Sequence, residues 1–450
     1  MPGNKADLTT DSGPGGLENW LYTLATGDDE ARRGREIPQS QRRAQPQNFI
    51  RHVCASGLSK TGDAVVDPKV VLPWVLGALG APVFLIGLLV PIRESLALLP
   101  QIAVSGVIRR YPVRKRFWAA SAVVQGLSTI LMALAGLAGL HGAVAGGAIM
   151  ALLAVFSLAR GVASVAGKDT LGKTVAKGNR GKVSGYASTG SGVVAALLGV
   201  YLVASPDAAR PGWLLYAILA AAGASWFLAA ATFAAIEEFP AAAQRGRSIR
   251  DLFASQIVLL RKDRELQKFI LARSLMISTA LVGPVYVGLA QVGTGRALDG
   301  LGWLIIASGL AGALSSAFWG IFSDRSSRLT MALAAGLAGG LGLAVLAVLA
   351  LFPALQGRIA FYAAILFIVG IAHAGVRIGR KTHVVDLAGR DQKSEYVALS
   401  NTVIGVFLLA IGGLSSILLG FGFEIAIAAL SAMALLGGAM AFTMKHVQGD

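Results

Sequence analysis

Charge is scarce in this sequence: 14% of its 450 residues are Asp, Glu, Lys or Arg, against about 25% in soluble globular domains. With 55% hydrophobic residues and a mean hydropathy of +0.65, the composition excludes most cytosolic enzymes. The single cysteine, Cys54, excludes an intrachain disulfide, a cysteine-based zinc site and an iron–sulfur cluster. Histidine is equally sparse, at five residues with no cluster, so neither a metal nor a cofactor is expected. No His-Glu-x-x-His, Gly-x-Ser-x-Gly or Walker loop occurs, and the chain does not read as an enzyme. No signal peptide is expected either, because residues 1–47 are polar and include Asp28-Asp29-Glu30 and Arg32-Arg33.

What is abundant is apolar sequence, gathered into runs of roughly 20 residues, each able to cross about 30 Å of hydrocarbon. Spans are expected at about 49–79, 83–108, 117–140, 143–166, 187–205, 212–235, 269–292, 300–322, 329–353, 358–378, 398–420 and 422–443. Twelve crossings put both termini on one side. Of the basic residues between spans, only Arg210, Arg296 and Arg358 fall in the odd-numbered gaps. The even gaps are dense with them: Arg109, Arg110, Arg114, Lys115 and Arg116 after span 2, and Lys168, Lys173, Lys177, Arg180 and Lys182 after span 4. An excess of Lys and Arg marks the cytoplasmic side, so both termini are expected there. The net charge of +16 and pI near 10.3 then reflect anionic lipid headgroups rather than nucleic acid.

The longest interruption follows Glu237-Glu238-Phe239-Pro240 and divides the spans six and six. The expected organisation is a cytoplasmic tail (1–47), a six-helix bundle (48–238), a central cytoplasmic loop (239–268), a second six-helix bundle (269–445) and a short C-terminus (446–450). Leu17, Trp20, Leu21 and Leu24 suggest one short amphipathic helix in an otherwise mobile tail. Ile249, Leu252, Phe253, Ile257, Leu260 and Leu266 suggest another along Ser248–Lys268, serving as a tether.

Local sequence also repeats between the halves. Gly167-Lys-Asp-Thr170 and Arg180 to Tyr186 after span 4 match Gly379-Arg-Lys-Thr382 and Arg390 to Tyr396 after span 10. Gly106 to Arg110 with Arg114 after span 2 matches Gly320 to Asp324 with Arg328 after span 8, at one common offset. Two such matches in the same direction indicate parallel six-helix repeats.

With twelve spans, a 6+6 division and a basic central loop, the chain from about residue 48 to 445 resembles the major facilitator superfamily. Gly320-Ile-Phe-Ser-Asp324-Arg325-Ser-Ser-Arg328 is similar to that family's cytoplasmic signature. The resemblance implies an all-α integral membrane fold of two pseudo-symmetric six-helix bundles, and transport of a small solute by alternating access. It makes Gly320, Asp324, Arg325 and Arg328 a conformational latch, although an ordinary charged turn remains an alternative. The first copy of the signature has Arg110 where the Asp belongs. Arg160 resembles an arginine that many members carry in the fourth span. Residues 187–205 lack the Gly-Pro pair typical of similar antiporters, which favours symport or uniport. A bacterial inner (plasma) membrane is the expected location, a proton the expected coupling partner, and the substrate is unassigned. A transport-inactive sensor or scaffold of the same fold, or an intramembrane enzyme acting on lipid, is the alternative.

Ionisable residues inside spans cost about 2.5 to 3.5 kcal/mol each at mid-bilayer and mark function by default. Span 1 carries Asp63, Asp67 and Lys69, and span 2 carries Arg93-Glu94. Asp63 lies as far beyond the start of span 1 as Glu94 lies before the end of span 2. Antiparallel neighbours would therefore bring Asp63 to Arg93. A start of span 1 near Val70 would instead leave Asp63, Asp67 and Lys69 outside the membrane, and a purely structural Arg93 pair is the other reading. Pro68, Pro73, Pro91 and Pro100 suggest kinked helices, and Gly283-Pro284 a matching interruption in span 7 that would mark a central site. His373 and Arg377 in span 10 are secondary candidates for a proton route. Arg377 and Arg273 also suit anchoring at the headgroups.

Overall fold

The computed structural model describes residues 16–27, 42–205, 211–240, 258–295, 297–388 and 393–448. Eleven helical stretches are long and apolar enough to cross a membrane. In chain order they are span 2 (Val83–Ile108), span 3 (Lys115–Leu137), span 4 (Gly142–Thr174), span 5 (Lys177–Ala204), span 6 (Leu214–Ala234) and span 7 (Arg264–Thr294). Span 8 follows within helix Leu298–Arg325, then span 9 (Ser327–Leu351), span 10 (Ile359–Leu387), span 11 within helix Lys393–Phe421, and span 12 (Phe423–Phe442).

The twelfth crossing is span 1, too polar and too interrupted to register by hydropathy. It is built from helices Gln45–Val65 and Val71–Ala78. Pro68 has no N–H to continue the ladder. Asp67 takes up the freed donors: its side chain accepts from the Lys69 N–H at 3.2 Å and its carbonyl accepts from Val71 and Leu72 at 3.1 and 3.0 Å. Pro73 falls in the first turn of the second helix, where a missing N–H costs nothing. Span 2 is likewise jointed, with Pro100 opening the helix Gln101–Ile108.

Span 7 breaks elsewhere than its Gly283-Pro284 pair suggests. Pro284 lies inside the continuous helix Ser278–Thr294, and the joint is at Met276–Ile277. There the hydroxyls of Ser278 and Thr279 donate to the Leu275 and Met276 carbonyls, both at 2.9 Å. A proline removes one backbone bond, which a well-packed helix tolerates, whereas paired side-chain bonds offer the backbone an alternative to the helix.

The packing of spans 1–6 is repeated in spans 7–12. Span 3 packs on 6 and 4 as 9 does on 12 and 10; span 4 packs on 2 as 10 does on 8; span 1 packs on 5 and 6 as 7 does on 11 and 12. The halves meet along spans 2 and 11 and along spans 5 and 8. At the first seam the approach needs glycine: a Cβ on Gly87 would lie 2.7 Å from the Ser416 backbone, and one on Gly412 would run into the Pro91 ring.

The first and last described segments, helix Gly16–Thr26 and residues 443–448, lie at the end of the bundle where spans 4, 6, 8 and 10 finish, called here the terminal face. On the opposite face a single apolar cluster crosses the seam, joining Trp74, Leu76 and Ile86 to Leu289, Leu301 and Leu304. Across it the Gln291 amide donates to the Trp74 carbonyl at 3.1 Å, and the Ser416 hydroxyl to the Phe84 carbonyl at 2.7 Å. On the terminal face the halves keep separate cores, Phe269, Met331 and Met444 in one and Tyr22, Phe49 and Val183 in the other. The seam is therefore closed on the opposite face and parted on the terminal one.

Helix Gly16–Thr26 lies on the terminal face, but not by the apolar stripe expected of it. Trp20 and Leu24 are 53% and 70% exposed, while Tyr22 is fully buried. The Tyr22 hydroxyl accepts from Gln45 and Asn179 at 2.9 and 3.0 Å, so an amphipathic aromatic with a satisfied hydroxyl seats the helix where Trp20, Leu21 and Leu24 are exposed. Residues 1–15 and 28–41 of the tail, and residues 248–257 of the expected tether helix, fall outside the described residues; 258–262 are helical.

Candidate transport site

The joint in span 1 places three ionisable side chains between the halves. Asp63 sits in the last turn before it, and Asp67 and Lys69 sit within it. Asp63 Oδ1 accepts from Arg93 Nη2 of span 2 at 2.8 Å, and Oδ2 pairs with Arg160 Nη2 of span 4 at 2.5 Å. One carboxylate thus joins three spans. Arg160 also donates to Ser59 at 3.1 Å, and the Arg93 guanidinium lies over the Phe156 ring at 4.7 Å, a further favourable contact for a desolvated cation. The side chains of Arg93, Asp63 and Arg160 are 11%, 19% and 31% exposed.

Lys69 turns the other way, toward the second half. Its Nζ lies 2.9 Å from His373 Nε2, and His373 Nδ1 lies 3.2 Å from Thr279 Oγ1. Thr279 donates its own proton to the Met276 carbonyl, so its oxygen is free to accept. A consistent assignment is an ammonium donating to Nε2 and a neutral imidazole donating from Nδ1. The relay joins span 1 to spans 7 and 10 at the level of both helix joints.

Glu94 differs from the buried carboxylate expected: it is exposed, because it faces a cavity rather than a neighbouring helix. That cavity, of about 250 Å³ between spans 2, 7, 10 and 11, also exposes Lys69, His373, Arg377 and Arg380. A second cavity of about 340 Å³ is lined by Lys60, Asp63 and Asp67 with Ser191 and Ser308, from spans 1, 5 and 8. A third, of about 250 Å³, carries Arg160, Ser59 and Lys168 between spans 1, 4 and 5. All are of the scale of a small-molecule site or slightly below it.

The expected latch residues lie apart from this cluster. Asp324 and Arg325 are exposed at the terminal end of helix Leu298–Arg325, and Asp324 has no ion pair among the described residues. Gly320 has open space beside it. Arg328 donates to the Met444 carbonyl at 3.1 Å and so ties span 9 to the end of span 12.

Sequence reasoning passed over two arrangements. In the first half, Glu238 accepts the N–H groups of Arg114 and Lys115 at 2.8 and 2.6 Å, capping span 3, and pairs with Lys173 at 3.0 Å. Asp169 holds Lys173 at 3.0 Å and also pairs with Arg114. The signal was present in the acidic pair Glu237-Glu238 closing span 6. In the second half, Arg380 and Lys381 line the cavity with Arg377, one helical turn further on.

No protein-family model matches the chain, and no curated protein matches it in sequence. Solved structures do resemble it. The nucleoside transporter NupG superposes with a TM-score of 0.65 at 11% identity, covering 88% of this chain and 98% of that one. A peptide transporter POT, solved as a point mutant, gives 0.66 at 13%, covering 88% and 93%. The inward-open xylose transporter XylE from E. coli gives 0.64 at 12%, covering 89% and 97%. Likeness at such low identity speaks for the fold, and with the paired six-span packing it shows a multi-pass integral membrane protein of the major facilitator fold.

Proposed function

We propose that this protein is a secondary active transporter, moving a small solute by alternating access and coupling it to protons as a symporter, with uniport the simpler form of the same cycle. The observation that carries the reading is the two-sided seam: six-span halves closed against each other on one face, parted on the other, with jointed helices and buried charge between them. Irregular backbone and ionisable residues at such depth are tolerated where they line a cavity. The basic residues of the even gaps favour a cytoplasmic terminal face, and in that orientation the parted side is the inner one.

In this reading Asp63 is the switch between the halves of the cycle. Its carboxylate is shared by Arg93 and Arg160, and movement of either on substrate binding would free it for proton exchange. Glu94, facing the cavity, is the second proton-exchanging carboxylate. Asp67 shapes the span 1 joint, and Lys69 with His373 couples that joint to the second half. Asp324 acts when the terminal face closes, in keeping with its having no ion pair among the described residues here.

The reading is tested by substrate uptake into vesicles holding the purified protein, with the gradient collapsed by ionophores. Accumulation that a proton ionophore abolishes is expected. Solute accumulation unaffected by any ionophore refutes the coupling, and absence of uptake for every solute class refutes the transporter. A reporter fused at residues 206–211 should lie outside the cell, and a cytoplasmic signal there overturns the orientation.

A further inference from the structure

We propose that the cavity between spans 2, 7, 10 and 11 binds a small organic anion, whose carboxylate or phosphate is held by Arg377, Arg380 and Lys381; the proposal rests on the transport reading for its use as a substrate site. The first argument is charge. Five cations line this cavity, Lys69, Arg273, Arg377, Arg380 and Lys381, against the single carboxylate of Glu94. Lys69 is engaged by His373, and Arg273 by Ser400 and by Asn401 at 3.1 Å. Arg377, Arg380 and Lys381 have neither a hydrogen bond nor an ion pair to another side chain among the described residues; Glu94 attracts Arg380 across the cavity without touching it, and one carboxylate leaves the three cations in excess.

The second argument is placement. These three cations stand at i, i+3 and i+4 on span 10 and so share one face, where like charges repel. Like charge gathered on one face of a cavity raises the local attraction for an anion. The internal repeat sharpens the point. Lys168-Asp169 in the first half corresponds to Arg380-Lys381 in the second. Asp169 neutralises Arg114 and Lys173, whereas its counterpart is a lysine, so the second half has exchanged an internal countercharge for a further cation.

The remaining wall is apolar, with Val90, Ile277 and Leu408 facing the same space. It suits an anionic head on a small hydrophobic body, and a guanidinium pair with an ammonium suits either a carboxylate or a phosphate. A phosphate could also arrive as a lipid headgroup, and the test separates the two sources.

The experiment uses the full chain in a neutral detergent and reads the thermal midpoint against matched solutes: benzoate, benzamide and benzylamine; succinate and succinamide; glycerol phosphate and glycerol. At least one anion should raise the midpoint while its neutral and cationic counterparts do not. Arg377→Gln and Lys381→Gln, both at exposed positions, should weaken that anion about tenfold or more, as loss of a charge-assisted bond does, without lowering the unliganded midpoint, since each removes a like-charge repulsion. Equal stabilisation by amides or amines, no stabilisation by any anion, or stabilisation only by added phosphatidylglycerol overturns the proposal. Vesicle uptake separates the two readings. Anion binding without uptake refutes transport and leaves the site standing. Uptake of the neutral counterparts at equal rate sustains transport and refutes the anion.

Discussion

Asp63 is the most consequential single side chain in the molecule, and its energetics can be worked from its partners. Its carboxylate is shared by Arg93 at 2.8 Å and Arg160 at 2.5 Å. Asp63→Asn preserves shape but removes the charge, leaving Arg93 only 11% exposed with the Phe156 ring as its main remaining contact. Breaking a buried pair from one side costs about 3–5 kcal/mol. The ring retains about 0.5–2 kcal/mol of attraction, and Arg160, 31% exposed, can turn to water. A net loss of about 2–4 kcal/mol is therefore expected. Arg93→Gln should cost less, about 1–2 kcal/mol, because Asp63 keeps Arg160. The double variant, Asp63→Asn with Arg93→Gln, should cost less than the sum, with a coupling of about 1–3 kcal/mol. The assay is equilibrium unfolding of the purified protein in mixed micelles of rising SDS fraction, read as a double-mutant cycle. Additivity within about 0.5 kcal/mol would show that the two side chains do not act as a pair, and the reasoning above would fall with it.

Asp63→Asn or Glu94→Gln should abolish gradient-driven accumulation while leaving facilitated exchange measurable; if both variants accumulate substrate with unaltered pH dependence, neither carries the proton. Asp324→Asn should leave stability within about 0.5 kcal/mol, as at other exposed sites, yet change turnover and the accessibility of both mouths; unchanged values of both reduce Asp324 to a surface charge. Gly412→Leu should force Pro91 and span 2 away from span 11. In a Cys54→Ala background, Ser191→Cys should then react with reagents from the opposite face, and protection equal to that without Gly412→Leu refutes the glycine seam.

The spans were legible in the sequence because membrane crossing is written in local composition, and depth because the helical rise is constant. Those two facts alone bring Asp63 to Arg93, an approach the structure contains at 2.8 Å. Arg160 was marked only by resemblance. Its meeting with the other oxygen of Asp63 depends on how span 4 packs against spans 1 and 2, which no local pattern records. The Lys69–His373–Thr279 relay was hidden for the same reason, since it joins residues from both halves. Span 7 misled in a different way: proline is the loudest break in a sequence, while the actual joint at Met276–Ile277 rests on two hydroxyls whose side-chain bonds are indistinguishable in sequence from ordinary helical ones. Tyr22 was passed over because its neighbours are more apolar, yet only a residue with a hydroxyl could satisfy both Gln45 and Asn179.

The two repeats have diverged in charge in a way that bears on how the halves move. In the first, Arg114, Asp169, Lys173 and Glu238 lock the terminal ends of spans 3, 4 and 6 together, and Glu238 caps the helix at the same time. These contacts lie wholly within the first half and do not touch the seam. In the second, the position matching Asp169 is Lys381 and the position matching Arg110 is Asp324, so an acid has moved from inside the bundle to its exposed rim. A basic face is left lining the cavity and a carboxylate is left at the mouth. Among the described residues neither Asp324 nor Arg377 and Lys381 has an ion pair. Charge that is neutralised within the first half is left without an ion-paired partner in the second among the described residues, so if the proposed transport cycle holds, a bound anion or the closed conformation would each find countercharge there, and a gate needs such a difference to prefer one state when empty and another when filled.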